Sequence, residues 1–263
     1  MVIDSINELV NNLKSEDDIT SIGLSSNPIP QKTTEGDIDI FVYCNNAVEP
    51  RVRNKYYAKS IVDNSDFVSR VFVSREWGDA DYTTIDNIET WIMYFRIDEV
   101  VKDFNDIIKG KNVRRSNGYY PSGRLAMFKK MTALLDKDGF LQGLRNRLEN
   151  YPAEMGNAIM EHCRQIIDDE EDLERACERN DVLFFHTSID TAIDAMLQYI
   201  FVVNKELFPG RKRNIQMVNS FSKKPDNCIE RIKEVIRFGS DENELSRAFE
   251  TYKQLKRELL VLE

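Results

Sequence analysis

The chain has 263 residues, of which 41% are hydrophobic and 31% are charged, and its formal net charge is −9. This composition is typical of a globular protein, and the length allows one large domain or two modest ones. The negative charge disfavours a general electrostatic grip on nucleic acid, so we expect no nucleic-acid partner.

The first 110 residues alternate between helical and strand-like patterns. Apolar residues at helical spacing predict helices, at 3–13 and 51–63. Short β-prone runs predict strands, at 19–24, 36–43, 67–74 and 88–95. The polar stretch 77–81 is expected to be the turn between the last two strands.

Three glycine-bearing clusters within 109–123 mark a loop, where we place a domain boundary. Apolar residues repeat at helical spacing within 189–201 and 245–259, and no alternating strand pattern is evident between 124 and 263. The sequence therefore predicts an α+β protein. An N-terminal mixed sheet with flanking helices, in domain 1–112, precedes a C-terminal helical bundle, in domain 120–263.

Two carboxylates open one of the predicted strands. Asp37 and Asp39 are two residues apart, so on a strand their side chains project from one face while Ile38 and Ile40 enter the opposite layer. Two like charges held side by side favour a cation between them. Carboxylate oxygens suit Mg²⁺, which takes one or two carboxylates and completes its shell with water and substrate phosphate.

This segment resembles the polymerase-β-like nucleotidyltransferase superfamily, whose pattern is Gly-Ser, a spacer, and Asp-x-Asp on a strand. Gly23-Leu24-Ser25 and Asp37-Ile38-Asp39 carry the resemblance, which covers roughly residues 1–110. The chain is most similar to small bacterial enzymes of the aminoglycoside and lincosamide adenylyltransferase type, which have a C-terminal helical domain. It departs from the pattern at Leu24, which separates the glycine from the serine.

The resemblance implies a set of site residues. Asp37 and Asp39 would coordinate two Mg²⁺ ions. A third carboxylate on a neighbouring strand would ligate metal or take a proton from the attacking hydroxyl. Glu89 is the choice for this third position, because it opens a predicted strand, and the alternatives are Asp86 and Asp81. The resemblance also implies triphosphate contacts from the glycine–serine loop, at Gly23, Ser25 and Ser26.

A basic segment in the second domain has two interpretations. Lys212, between Arg211 and Arg213, could neutralise triphosphate. Basic residues just after a helix end also complement the helix dipole, which gives Lys212 a structural interpretation as well.

The resulting hypothesis is a Mg²⁺-dependent nucleotidyltransferase. It would transfer a nucleoside monophosphate, with AMP as the first choice, from a nucleoside triphosphate to a hydroxyl of a small molecule that the helical domain binds. The alternatives are a degenerate, non-catalytic nucleotide-binding or interaction protein, and transfer to a protein or RNA acceptor.

The surroundings of the protein follow from two further patterns. The four cysteines show no metal-binding spacing and predict free thiols, and no apolar run reaches the length of a membrane span. We therefore expect a cytoplasmic protein without a membrane partner.

Overall fold

The computed structural model describes residues 2–25, 28–60, 68–74, 76–116, 118–212 and 214–262. The chain forms two compact units, one of residues 1–105 and 125–150, the other of residues 106–124 and 151–263. These units are not the two continuous ranges expected from the sequence, 1–112 and 120–263, because residues 125–150 belong to the first unit.

Six strands form one mixed sheet in the first unit. They are β1 (Ile19–Leu24), β2 (Ile38–Cys44), β3 (Val68–Ser74), β4 (Gly78–Ile85), β5 (Ile88–Arg96) and β6 (Thr132–Asp136). Their order across the sheet is β3-β4-β5-β2-β1-β6, in which β2 and β5 run parallel and all other neighbours run antiparallel. The predicted α+β class is therefore confirmed.

Two sequence predictions in this unit were wrong. Residues 77–81, expected to be a turn, mostly belong to β4, and the turn lies at Asp86 and Asn87, which both have positive φ. The strand β6 was missed because it lies at the sheet edge and none of its residues is fully buried, so no apolar alternation marks it.

Helices cover both faces of the sheet. Helices α1 (Val2–Leu13) and α2 (Pro50–Ser60) share a core with Ile38, Ile40 and Val42 of β2. The next three helices are α3 (Ile97–Ile108), α4 (Pro121–Lys130) and α5 (Phe140–Asn146). Their aromatic rings Phe104, Phe128 and Phe140 form a chain of contacts with Tyr43, which points to the other face. The predicted helix at 51–63 is present to residue 60, and residues 61–63 lie outside the described ranges.

The second unit is helical. Its helices are α6 (Ala153–Asp168), α7 (Glu171–Glu178), α8 (Val182–Val203), α9 (Ile215–Ser220), α10 (Cys228–Phe238) and α11 (Leu245–Leu259). The apolar faces predicted on α8 and α11 are buried. Residues 192–202 of α8 are buried all round, as expected of a central helix. Within the described residues, no helix is long and apolar enough to cross a membrane.

Candidate functional site

The Asp37–Asp39 pair lies where β2 begins. Asp37 is exposed just before the strand, and Asp39, the second residue of β2, is half-buried. Ile38 and Ile40 are fully buried in the core beneath α1 and α2, so alternation along the strand turns Asp39 to the opposite face.

The loop before this strand meets Asp39 directly. Ser25 follows β1, and its backbone N–H donates to the Asp39 carbonyl at 3.1 Å while its hydroxyl donates to Asp39 Oδ2 at 3.4 Å. Gly23 lies inside β1, where a Cβ atom would overlap the Met131 thioether, so packing explains this glycine. Ser26, the other predicted triphosphate contact, lies outside the described residues.

The strand register separates the three candidates for the third carboxylate. Trp91 of β5 pairs with Asp39, so Glu89, two residues earlier, lies on the face of Asp39. Asp81 pairs with Ile92, which is itself the partner of Ile40, and therefore lies on the opposite face.

The remaining candidate and Glu89 itself have contacts of their own. Asp86 lies in the turn before β5 and accepts a hydrogen bond from the Ser5 hydroxyl of α1. The exposed Glu89 carboxylate accepts a hydrogen bond from the Trp91 indole at 3.0 Å. Of the three candidates, Glu89 alone combines the face of Asp39 with exposure to solvent.

Asp81 belongs to a buried cluster on the α1–α2 side of the sheet. The Arg53 side chain is fully buried, with Nη2 3.0 Å from Asp79 Oδ2 and Nη1 3.3 Å from Asp81 Oδ2. The Tyr57 hydroxyl donates to Asp81 at 2.8 Å and lies 2.5 Å from the Tyr94 hydroxyl. Burial, with the nearby Tyr94 and Asp81, raises the pKa of Tyr57 well above its ordinary value, so this phenol remains protonated.

The carboxylates at the beginning of β2 and β5 are ligands of the type that Mg²⁺ prefers. Asp37, Asp39 and Glu89 offer hard carboxylate oxygens, and Mg²⁺ needs only one or two of them besides substrate phosphate. Among the residues that the structure describes, however, no group of three or more His, Cys, Asp or Glu side chains is arranged to hold a metal ion. Two carboxylates with a substrate phosphate would nevertheless meet the needs of Mg²⁺.

Lys212 is exposed in a turn of the second unit, close to a polar network that the sequence analysis missed. Asp194, inside α8, has a side chain only 6% exposed. Its Oδ1 accepts a hydrogen bond from the Tyr120 hydroxyl at 2.6 Å, and its Oδ2 accepts one from Gln198 at 3.0 Å. Burial, followed by the hydrogen bond to Asp194, raises the pKa of Tyr120, which remains a donor. The signal in the sequence was the spacing of Asp190, Asp194 and Gln198, four residues apart in an apolar helix.

Comparison with known proteins bears on both units. Residues 119–212 match the model of a family described as a domain of unknown function, DUF4037. The chain is also similar to a solved nucleotidyltransferase-like protein from Exiguobacterium sibiricum 255-15, with 9% sequence identity and a TM-score of 0.51, over 98% of this chain and 74% of that one. No curated protein matches the chain. The chain therefore has a nucleotidyltransferase-like fold.

Proposed function

We propose that this chain is a Mg²⁺-dependent nucleotidyltransferase that moves a nucleoside monophosphate, with AMP the first candidate, from a nucleoside triphosphate to a hydroxyl of a small molecule, releasing pyrophosphate. The observation that carries the proposal is the placement of Glu89 on the face of Asp39, in a nucleotidyltransferase-like fold. Its four cysteines are free thiols, which suits the reducing cytoplasm where we expect it to act.

Each residue has a distinct part in this reaction. Asp37 and Asp39 would hold Mg²⁺, which when bound neutralises charge on the phosphates. The Ser25 hydroxyl holds the Asp39 carboxylate, and so fixes the direction in which its oxygens point. Glu89 would accept the proton of the attacking hydroxyl, a contribution of about 10²- to 10⁴-fold for a well-placed general base. The Trp91 indole orients the Glu89 carboxylate.

A non-catalytic nucleotide-binding protein is the second candidate, and a specific observation favours it. Leu24, which separates Gly23 from Ser25, is 2% exposed, and Gly23 is committed to packing against Met131. The backbone at this point therefore pairs with the neighbouring strands of the sheet. The resemblance, by contrast, implies that backbone amides here hold phosphate. Transfer to a protein or RNA hydroxyl shares the chemistry of the first candidate, and the −9 charge disfavours RNA.

Pyrophosphate release tests the proposal. Purified protein is incubated with Mg²⁺, each of the four triphosphates in turn, and pools of small hydroxylated compounds that include aminoglycosides and lincosamides. We expect one triphosphate and one pool to give release above background, and Glu89→Gln to lower the rate by roughly 10²-fold or more. Asp86→Asn is the matched control, since it neutralises a nearby exposed carboxylate outside the site, and it retains activity.

The two candidates give different results in this assay. A catalytic protein releases pyrophosphate and loses this activity in the Glu89→Gln variant. Metal-dependent triphosphate binding without release in any pool, or equal rates for the Glu89→Gln and Asp86→Asn variants, contradicts the catalytic assignment of Glu89.

A further inference from the structure

Asp194 contacts two arginines, Arg115 and Arg211, that are far apart in the sequence. Arg211 Nε lies 3.4 Å from Asp194 Oδ1, and Arg115 Nη1 lies 3.9 Å from Asp194 Oδ2. One buried carboxylate thus gathers two guanidinium groups, one on each oxygen.

Both arginines reach solvent although the carboxylate that holds them does not. The side chains of Arg115 and Arg211 are 40% and 33% exposed, against 6% for Asp194. Asp190, which is 53% exposed, occupies Arg211 Nη1 as a competing partner, with its two oxygens 2.6 and 2.7 Å away. Partial burial acts to lower the pKa of Arg211, but Asp190 and Asp194 outweigh it and raise the pKa overall.

The loops that carry these arginines are tied together by contacts of their own. The Ser122 hydroxyl donates to the Phe208 carbonyl at 3.1 Å, and the rings of Tyr120 and Phe208 pack edge to face with centroids 5.1 Å apart. The Arg115 guanidinium lies 5.4 Å from the Tyr120 ring centroid, within cation–π range. These contacts join the two segments near the carboxylate that both guanidinium groups approach.

Each of the two arginines has a second basic residue beside it in the sequence. Lys212 follows Arg211, Arg114 precedes Arg115, and both neighbours are exposed. Lys212 and Arg114 are thus further cationic residues adjacent in sequence to the two arginines, in a chain of formal charge −9. The planar donor fork of arginine matches the oxygens of a phosphate group, and holding the fork in advance lowers the entropy lost on binding.

We propose that Arg115 and Arg211 form a phosphate-binding site on the second unit, with Asp194 as the positioning residue for both, and that the site takes the phosphate group of a nucleotide or of a phosphorylated acceptor. The site consists only of residues of the second unit, so it does not depend on Asp37, Asp39 or bound metal. The segment that matches DUF4037 includes Asp194 and Arg211.

Calorimetric titration with inorganic pyrophosphate, in the presence of EDTA, tests the site on the full chain. Native protein should bind pyrophosphate saturably, and Arg115→Gln and Arg211→Gln should each weaken binding roughly 10-fold. Arg175→Gln is the matched control, because Arg175 lies in the same unit, is 48% exposed, and pairs with carboxylates. This control binds like the native protein.

Two further variants distinguish positioning and competition from loss of structure. Asp194→Asn keeps both positive charges but releases the arginines, so the affinity for pyrophosphate falls while its dependence on salt is retained. The arginine variants lower both the affinity and its salt dependence. Asp190→Asn removes a carboxylate that competes for Arg211, so this variant binds pyrophosphate more tightly. A tighter complex is a result that damage to the fold does not produce.

The outcomes are separate from those of the proposed enzyme activity. Competition of bound pyrophosphate by ATP identifies a nucleotide as the source of the phosphate, and competition by glucose 6-phosphate alone identifies a phosphorylated acceptor. Absence of saturable binding, or equal affinity in the native protein and the Arg115→Gln/Arg211→Gln variant, overturns the proposal. Neither result affects the Asp37–Asp39 site, which is tested with Mg²⁺.

Discussion

Two Asp-x-Asp pairs of the first unit, Asp37–Asp39 at the start of β2 and Asp79–Asp81 in β4, have different surroundings. Asp79 and Asp81 of β4 hold the fully buried Arg53 beneath α1 and α2. The other pair lies where β2 begins, with Asp37 exposed and Asp39 bound by the Ser25 hydroxyl. One pair neutralises a buried cation of the chain itself, and the other is the pair for which we propose a metal ion.

The comparison shows that the spacing of two carboxylates does not define a metal site. Both pairs have the same pattern of residues, and only the register of their strands decides which layer each enters. A buried arginine beside one pair gives it a structural role, because removing either partner leaves an uncompensated charge in the core.

The largest expected effect comes from breaking the buried pair. Arg53→Met leaves the fully buried Asp81 without its cation, which costs about 3–5 kcal/mol of unfolding free energy. Urea unfolding followed by circular dichroism measures the loss. Adding Asp81→Asn to this variant removes the unpaired charge and restores part of the stability. If the single and double variants unfold at the same urea concentration, Asp81 is not held by Arg53.

A smaller loss is expected at Tyr57, which completes the buried cluster. Tyr57→Phe removes the donor to Asp81 and the contact with Tyr94, at a cost of about 1–3 kcal/mol. Tyr56→Phe is the matched control, since the neighbouring Tyr56 hydroxyl donates to Glu16 in a part-buried hydrogen bond. Equal losses in the two variants, measured by urea unfolding, would mean that the fully buried cluster adds nothing beyond a part-buried hydrogen bond.

The strand register could have been predicted from the sequence more fully than it was. Ile85-Asp86-Asn87-Ile88 is a two-residue hairpin signal, since Asp and Asn tolerate the positive φ that such a turn needs. With that turn in place, Asp81 pairs with Ile92 and faces the core, on the side of the sheet opposite to Asp39.

Local features of the first unit could be predicted from the sequence, and contacts between distant segments could not. Ile38 and Ile40 could be assigned to the buried layer and Asp39 to the opposite face, because alternation along a strand is local. The edge strand β6 and the pairing of Arg115 with Asp194 depend on contacts between distant segments, for which a single sequence carries no periodic signal.

Trp91 offers an optical test of ligand binding at the Asp37–Asp39 pair. Trp91 pairs with Asp39 across β2 and β5, and its indole donates a hydrogen bond to Glu89. A ligand bound near these residues should therefore change the fluorescence of Trp91. Trp77→Phe leaves Trp91 as the only tryptophan, and we expect a saturable change in emission when Mg²⁺ and ATP are added. The change should be absent in Trp91→Phe, whose emission comes from Trp77. A signal that persists there would place the ligand elsewhere.

The smallest expected effect is on the pH dependence of stability, at His162 of the second unit. Partial burial, and then the charge of Arg114, lower the pKa of His162 from its ordinary value of 6.5. The unfolded chain therefore binds more protons below pH 6.5, so this residue makes stability rise with pH up to that point and no further. His162→Gln should flatten the melting temperature between about pH 5 and 6.5. An unchanged slope would contradict the assignment.

The central claim is that the Asp37–Asp39 pair binds metal with a nucleoside triphosphate. Calorimetric titration of Mg²⁺-ATP into native protein, the Asp37→Asn/Asp39→Asn variant and the Asp86→Asn control tests it most directly, with the same titrations repeated in EDTA. We predict metal-dependent binding to the native protein and the control, and loss of the metal-dependent part in the double variant. Equal metal-dependent binding in all three proteins would contradict the claim.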